Sequence, residues 1–144
     1  MATFKHILVA TDFEETSERA LDKALQLAED LDASVTIVHV LQAPPVYYSA
    51  YAQGLAWPVD ELDGAARRAL DAALAVAQKR HPKVDALLLV GAPRERILEA
   101  AAERKADLIV MGTHGRGGLV RAVLGSVAES VVRASPIPVL TLSA

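Results

Sequence analysis

The chain of 144 residues has no cysteine, so a disulfide framework and a thiolate-held metal are both excluded. No apolar run reaches the roughly 20 residues that cross a bilayer, which points away from a membrane. The start, Met1 to Ile7, lacks the apolar core of a secretion signal and enters a strand at once. These features fit a cytoplasmic protein. Neither charge sign dominates: 15 Lys and Arg stand against 18 Asp and Glu, and the net charge of -3 is interspersed. That argues against an electrostatic grip on nucleic acid. Aromatic residues make up only 4%, and all three Tyr and the single Trp fall between Leu41 and Pro58. No pair of His, or of His and carboxylate, has a zinc spacing.

What is present is an apolar majority, 52% of residues, enough for one domain over 1–144 with a real core. Continuous apolar runs at Phe4–Ala10, Ser34–Val40, Val84–Val90, Asp107–Met111 and Val139–Leu142 read as buried strands. Between the first two, Ala20, Leu21, Ala24, Leu25, Ala28 and Leu31 repeat at helical spacing, with Thr16 or Ser17 as the cap. A second helical pattern covers Asp60–His81. A third starts at Pro93 and buries Ile97, Leu98, Ala101 and Ala102, and a fourth spans Val127–Arg133. Only Leu41–Pro58 resists a periodic reading; it reads as a surface flap packing its own aromatics, with a lid or a partner surface as the alternatives.

Strict βα alternation with apolar strands predicts an α/β fold: a three-layer, doubly wound sheet of five mainly parallel strands, order 3-2-1-4-5, with helices on both faces. Ligands of such sheets sit outside the carboxyl ends of the strands where the order reverses, here between strands one and four. Strand one ends in Ala10-Thr11-Asp12. Strand four runs through Met111 into Gly112-Thr113-His114-Gly115, and Gly125-Ser126-Val127 opens the last helix. Glycines let the backbone approach an anion, a helix start offers unpaired N–H groups, and Ser126 adds a hydroxyl. Arg116, Arg121 and Arg133 against the single Glu129 make this segment basic. Asp12 suits a ribose hydroxyl or a base amine, or else caps the next helix. Val40 borders the same crevice and offers backbone groups to a base, or else serves ordinary strand packing. His114 reads as a phosphate donor or a solvated loop residue, and His39 as a satisfied core or crevice histidine, with a ligand as the alternative. His6 and His81 read as structural or exposed.

Other nucleotide-binding patterns are missing. There is no G-x-x-x-x-G-K-[ST] loop, and no glycine follows strand one, where a Rossmann turn would need it. A phospho-receiver domain would want an Asp ending strand three, where Val90-Gly91 stands, and a Lys ending strand five.

With Asp12 and the pattern Gly112-x2-Gly115-x9-Gly125-Ser126 both in place, the chain resembles the universal stress protein family, whose signature is G-x2-G-x9-G-[ST]. The likeness covers nearly the whole chain: Lys5 to Asp12, Gly91 to Pro93, Asp107 to Gly115 and Ser135 to Leu140. The resemblance implies an adenine nucleotide alpha hydrolase-like fold that binds ATP, AMP or another adenine nucleotide, with Mg²⁺ accompanying it, and a sensing or regulatory role in stress. By match, Asp12 would meet ribose or base and Val40 adenine, while Gly112, Gly115, Gly125 and Ser126 would hold phosphates; Ala10, Thr11, Met111, His114, Arg116 and Val127 complete the expected site. No general base is obvious, so a slow ATP hydrolase is one alternative, and an interaction module without nucleotide is another. The resemblance also implies a homodimer through Val139–Leu142, an apolar edge that would otherwise lie open. One departure stands out: Phe13-Glu14-Glu15 replaces the small residue and Ser that often follow the Asp. Two carboxylates near a triphosphate repel it unless they point away or Mg²⁺ intervenes.

Overall fold

The computed structural model describes residues 3–42, 59–113 and 125–143, apart from the side chains of 59–63. Its elements run β1 (His6–Ala10), α1 (Glu15–Leu31), β2 (Ser34–Leu41), α2 (Val59–Arg80), β3 (Val84–Val90), α3 (Pro93–Glu103), β4 (Leu108–Gly112), α4 (Ser126–Ala134) and β5 (Val139–Leu142). The strands form one sheet in the order β3-β2-β1-β4-β5, and every pairing is parallel. This is the order expected from the βα alternation. The flap read between Leu41 and Pro58 lies, from residue 43 on, outside the described residues.

β1 is central because it is buried on both faces: Ile7, Leu8 and Val9 are all inaccessible to solvent. Alternation along the strand sends Ile7 and Val9 to one face, with Val35, Ile37 and Val110. There they meet Ala20, Ala24 and Ala28 of α1 and Leu70 of α2. The alanine stripe lets α1 lie close against the strands. Leu8 points the other way and packs with Val38, Ile109 and Met111 against Ile97 and Ala101 of α3 and Val131 of α4. Each fully buried aliphatic side chain adds about 1.5–3 kcal/mol.

The expected cap at Thr16 or Ser17 is corrected by the structure. α1 begins at Glu15 with Glu14 in the N-cap position and no side-chain cap bond there, while Thr16 and Ser17 are buried in the first turn. Asp12, two residues before the cap, instead accepts from the Glu14 N–H and the Ser17 hydroxyl, so the Ser17 side chain is spent on the turn before the helix. At the other end Asp32 takes a left-handed φ of 54° and returns its N–H to Ala28.

At the amino ends of the strands, the polar residues are tied to one another. His6 Nδ1 lies 2.6 Å from Ser34 Oγ, and Nε2 lies 2.8 Å from Thr36 Oγ1. The fully buried Thr36 donates its hydroxyl to Asp85 at 2.6 Å, so its oxygen can accept from His6 Nε2–H. Asp85 in turn pairs with Arg104. Asp107 accepts from the backbone N–H groups of Lys5 (2.9 Å) and His6 (3.1 Å). His81, equally structural, is buried with Nε2 2.6 Å from the Ala33 carbonyl. Burial holds the His6 imidazole below its ordinary value; Asp85 and Asp107 oppose the shift and Arg104 adds to it.

That shift has a sign. Between the ordinary histidine value of about 6.5 and the lower folded value, the unfolded chain binds more protons than the native one. Stability is therefore fully present above the ordinary value and falls as pH drops through this window. Urea midpoints taken at about pH 7.5 and about pH 5.5 should fall on acidification, and the fall should be smaller in His6→Asn; an equal fall in both would show that His6 does not carry it.

Candidate functional site

A cleft of about 240 Å³ opens at the carboxyl ends of β1, β2 and β4. It sits where the strand order turns from β1 to β4, the position expected for a doubly wound sheet. Ala10, Thr11, Asp12, Val40, Met111, Gly112, Gly125, Ser126 and Val127 all line it. Asp12 and Ser126 are thereby brought together from opposite ends of the chain. His114, Gly115, Arg116 and Arg121 lie outside the described residues.

The lining extends beyond the expected set to Ser17, Val38, Gln42, Pro93, Ile97, Thr113 and Ala128, with His39 also in the wall. Some of these had a signal. Val38, Val40 and Gln42 share a face by strand alternation, and Pro93 opens a helix on the same side of the sheet as every βα turn. Ser17 had none: it reaches the cleft only because α1 starts beside it.

The turn after β1 accounts for all its backbone donors. Thr11 N–H bonds the Val38 carbonyl at 2.9 Å. Asp12 N–H bonds Ser17 Oγ at 3.1 Å, Phe13 N–H bonds Thr11 Oγ1 at 3.0 Å, and Glu14 N–H bonds Asp12 Oδ1 at 3.0 Å. Ser17 also donates its hydroxyl to Asp12 Oδ1. Asp12 Oδ1 thus ties the turn to the start of α1, and Oδ2 has no partner among the described residues while the side chain is exposed in the cleft. Phe13 sits at φ 65°, which costs a non-glycine residue about 1–2 kcal/mol. Its ring leans on His39 with centroids 4.5 Å apart and planes at 41°. Such contacts return about 0.5–1.5 kcal/mol.

Two backbone features face the same space. Ser34 N–H bonds the Lys5 carbonyl and Thr11 N–H bonds the Val38 carbonyl, so the even-numbered groups of β2 face β1. Val40 continues that series beyond Ala10 and Val38, the last residues paired in register. α4 starts at Gly125 without a side-chain cap, and Glu129 N–H to Gly125 is its first helical bond. The N–H groups of Ser126, Val127 and Ala128 therefore lack intrahelical acceptors at the cleft wall. Gly125 itself is held by its N–H to the Thr113 carbonyl. Between these polar groups the wall is apolar: Val38, Val40, Met111, Pro93 and Ile97.

The family model described as the universal stress protein family matches residues 3–143. The chain belongs to this family. A universal stress protein of Thermus aquaticus is 40% identical over 142 residues, covering 95% of this chain and 97% of the relative. Among solved structures, a universal stress protein in complex with cAMP superposes with a TM-score of 0.72 at 27% identity, covering 98% of each chain. The universal stress protein from Archaeoglobus fulgidus in complex with dAMP gives 0.69 at 27% identity, covering 95% of this chain and 96% of that one.

At the departure Phe13-Glu14-Glu15, neither Glu14 nor Glu15 lines the cleft. Glu15 is largely exposed and lies 3.7 Å from Arg19, one turn along α1. Among the described residues no group of three or more His, Asp and Glu side chains could hold a metal ion.

Gly112 ends β4 in register with Leu142, inside the strand rather than in the loop after it. Its missing side chain answers a helix: a Cβ there would lie 2.9 Å from the carbonyl carbon, Cβ and Oγ1 of Thr16. Gly112→Ala should therefore lower stability by about 1–3 kcal/mol in urea unfolding, because α1 must retreat from β4. Adding Thr16→Ala should not restore it, since the backbone carbon is as close as the hydroxyl. Full rescue would mean that the hydroxyl alone makes the conflict.

Proposed function

We propose that the cleft binds an adenine nucleotide, ATP or AMP, and that the protein is a cytoplasmic sensing or regulatory member of its family acting through the bound state. The observation that carries this reading is the convergence of Asp12 Oδ2 and the uncapped start of α4 on one cleft with an apolar wall between them. A base fits against Val38, Val40, Pro93 and Ile97, with Val40's backbone groups at its edge. Asp12 Oδ2 accepts from ribose hydroxyls. The N–H groups of Ser126 to Ala128 and the positive end of the α4 dipole receive phosphate, and His114, Gly115 and Arg116 extend that grip. Mg²⁺ would be held by the phosphates, since Mg²⁺ is commonly carried by substrate phosphates and waters rather than an all-protein cage. Relatives solved with cAMP and with dAMP support an adenine ligand.

We further propose a homodimer through β5. This edge strand is half-exposed along its length. Pro138 and Leu142 give their carbonyls to Ile109 and Thr113, so alternation turns the backbone of Val139 and Thr141 outward, open to pairing.

Isothermal titration should show ATP and AMP binding with Mg²⁺ present, and Asp12→Ala should weaken it by about tenfold or more, the effect of losing a hydrogen bond to a charged group. No heat at millimolar nucleotide, with protein shown to be nucleotide-free by its ultraviolet spectrum, would end this reading. Light scattering after gel filtration should give a dimer mass. Thr141→Pro, which removes an outward N–H from an edge strand that tolerates proline, should weaken the dimer by about tenfold or more; an unchanged dimer places the interface elsewhere.

A further inference from the structure

We infer that His39 is a positioning residue that ends the β1–β2 ladder at Thr11 and so leaves the Val40 N–H to the cleft. The inference rests on the adenine-nucleotide reading for its ligand, but its geometry stands apart from it. In a parallel ladder a residue's N–H and C=O bond two residues of the neighbouring strand that are two apart. Thr11 N–H follows this rule and bonds Val38 at 2.9 Å. Its carbonyl would then accept from Val40 N–H. Instead His39 Nδ1 lies 2.8 Å from that carbonyl. A carbonyl only accepts, so Nδ1 carries the proton. The side chain thus does the work of the next ladder bond, and the strand turns away.

Three consequences meet at this point. β1 stops pairing after Ala10 and Val38. Phe13, in its left-handed conformation, closes over the His39 ring at 4.5 Å, which holds the turn bearing Asp12 against the end of β2. Val40, next in the wall, keeps its N–H for a ligand acceptor such as a ring nitrogen of the base. The His39 ring packs on Phe13, while His39 itself forms part of the cleft wall beside Val38 and Val40.

The test is amide hydrogen exchange with nitrogen-15 spectra of the imidazoles, paired with nucleotide titration. Wild type should show His39 protonated at Nδ1, and a Val40 amide that exchanges far faster than that of Val38. In His39→Ala the Thr11 carbonyl becomes available to Val40, so Val40 exchange should slow by about tenfold or more while ATP binding weakens by a similar factor. His39→Asn, whose amide can place an N–H near the Nδ1 position, should restore both. A general loss of stability would speed Val40 exchange, so the slowing separates positioning from a structural role. Val40 exchange as fast in His39→Ala as in wild type overturns the inference, as does a bare Nδ1 in wild type, which can be read even if His39→Ala fails to fold. A wild-type protein that binds no adenine nucleotide overturns the ligand reading, and the exchange result still decides the role of His39.

Discussion

The site depends on the contact between the first turn of α1 and the bare backbone of Gly112. A Cβ at that position would lie 2.9 Å from Thr16, closer than real Cβ contacts come. With only hydrogen there, α1 starts directly against the end of β4. That start puts Ser17 beside Asp12, and the pair fixes the turn after β1. The neighbour of Gly112 in the chain, Thr113, holds Gly125 and hence the mouth of α4. One close approach between a helix and a strand end thus sets the spacing of the groups that face the cleft. The bare backbone of Gly112 thus serves packing as well as lining the cleft.

The two ends of the sheet use polar residues in opposite ways. At the amino end, His6, Thr36, Asp85 and Arg104 are bonded to one another, which suits groups that are buried or half-buried and serve only the fold. At the carboxyl end, donors and acceptors are divided. Asp12 gives one oxygen to the helix start and keeps the other exposed, and the first N–H groups of α4 have no cap. Parallel strands make this asymmetry possible, since every βα turn exits on the same side and places its irregular backbone there.

Glu14 and Glu15 show how a charge reading from sequence depends on direction. Their adjacency to Asp12 suggested repulsion of a polyphosphate. The left-handed turn at Phe13 and the immediate start of α1 place both outside the cleft lining, with Glu15 beside Arg19. The same turn puts the Phe13 ring on His39, so a bulky residue where the family often has a small one becomes part of the support for the turn.

The strand runs, the helical alanine spacing and the strict alternation of the two determined the α/β layers, the parallel order and the end of the sheet where a site belongs. They did so because apolar periodicity reports directly which face each residue must bury, and handedness leaves few ways to connect such elements. The spaced glycines with Asp12 were enough to place the family and most of the lining. What tertiary structure decided was the division of labour within single groups: which oxygen of Asp12 remains exposed, that Thr16 and Ser17 follow the helix cap rather than form it, that Gly112 is bare for α1, and that the side chain of His39 replaces a ladder bond. None of these is periodic. Each depends on atoms brought within 3 Å or so from distant or differently turned segments, and a sequence lists residues without stating which of their atoms will meet.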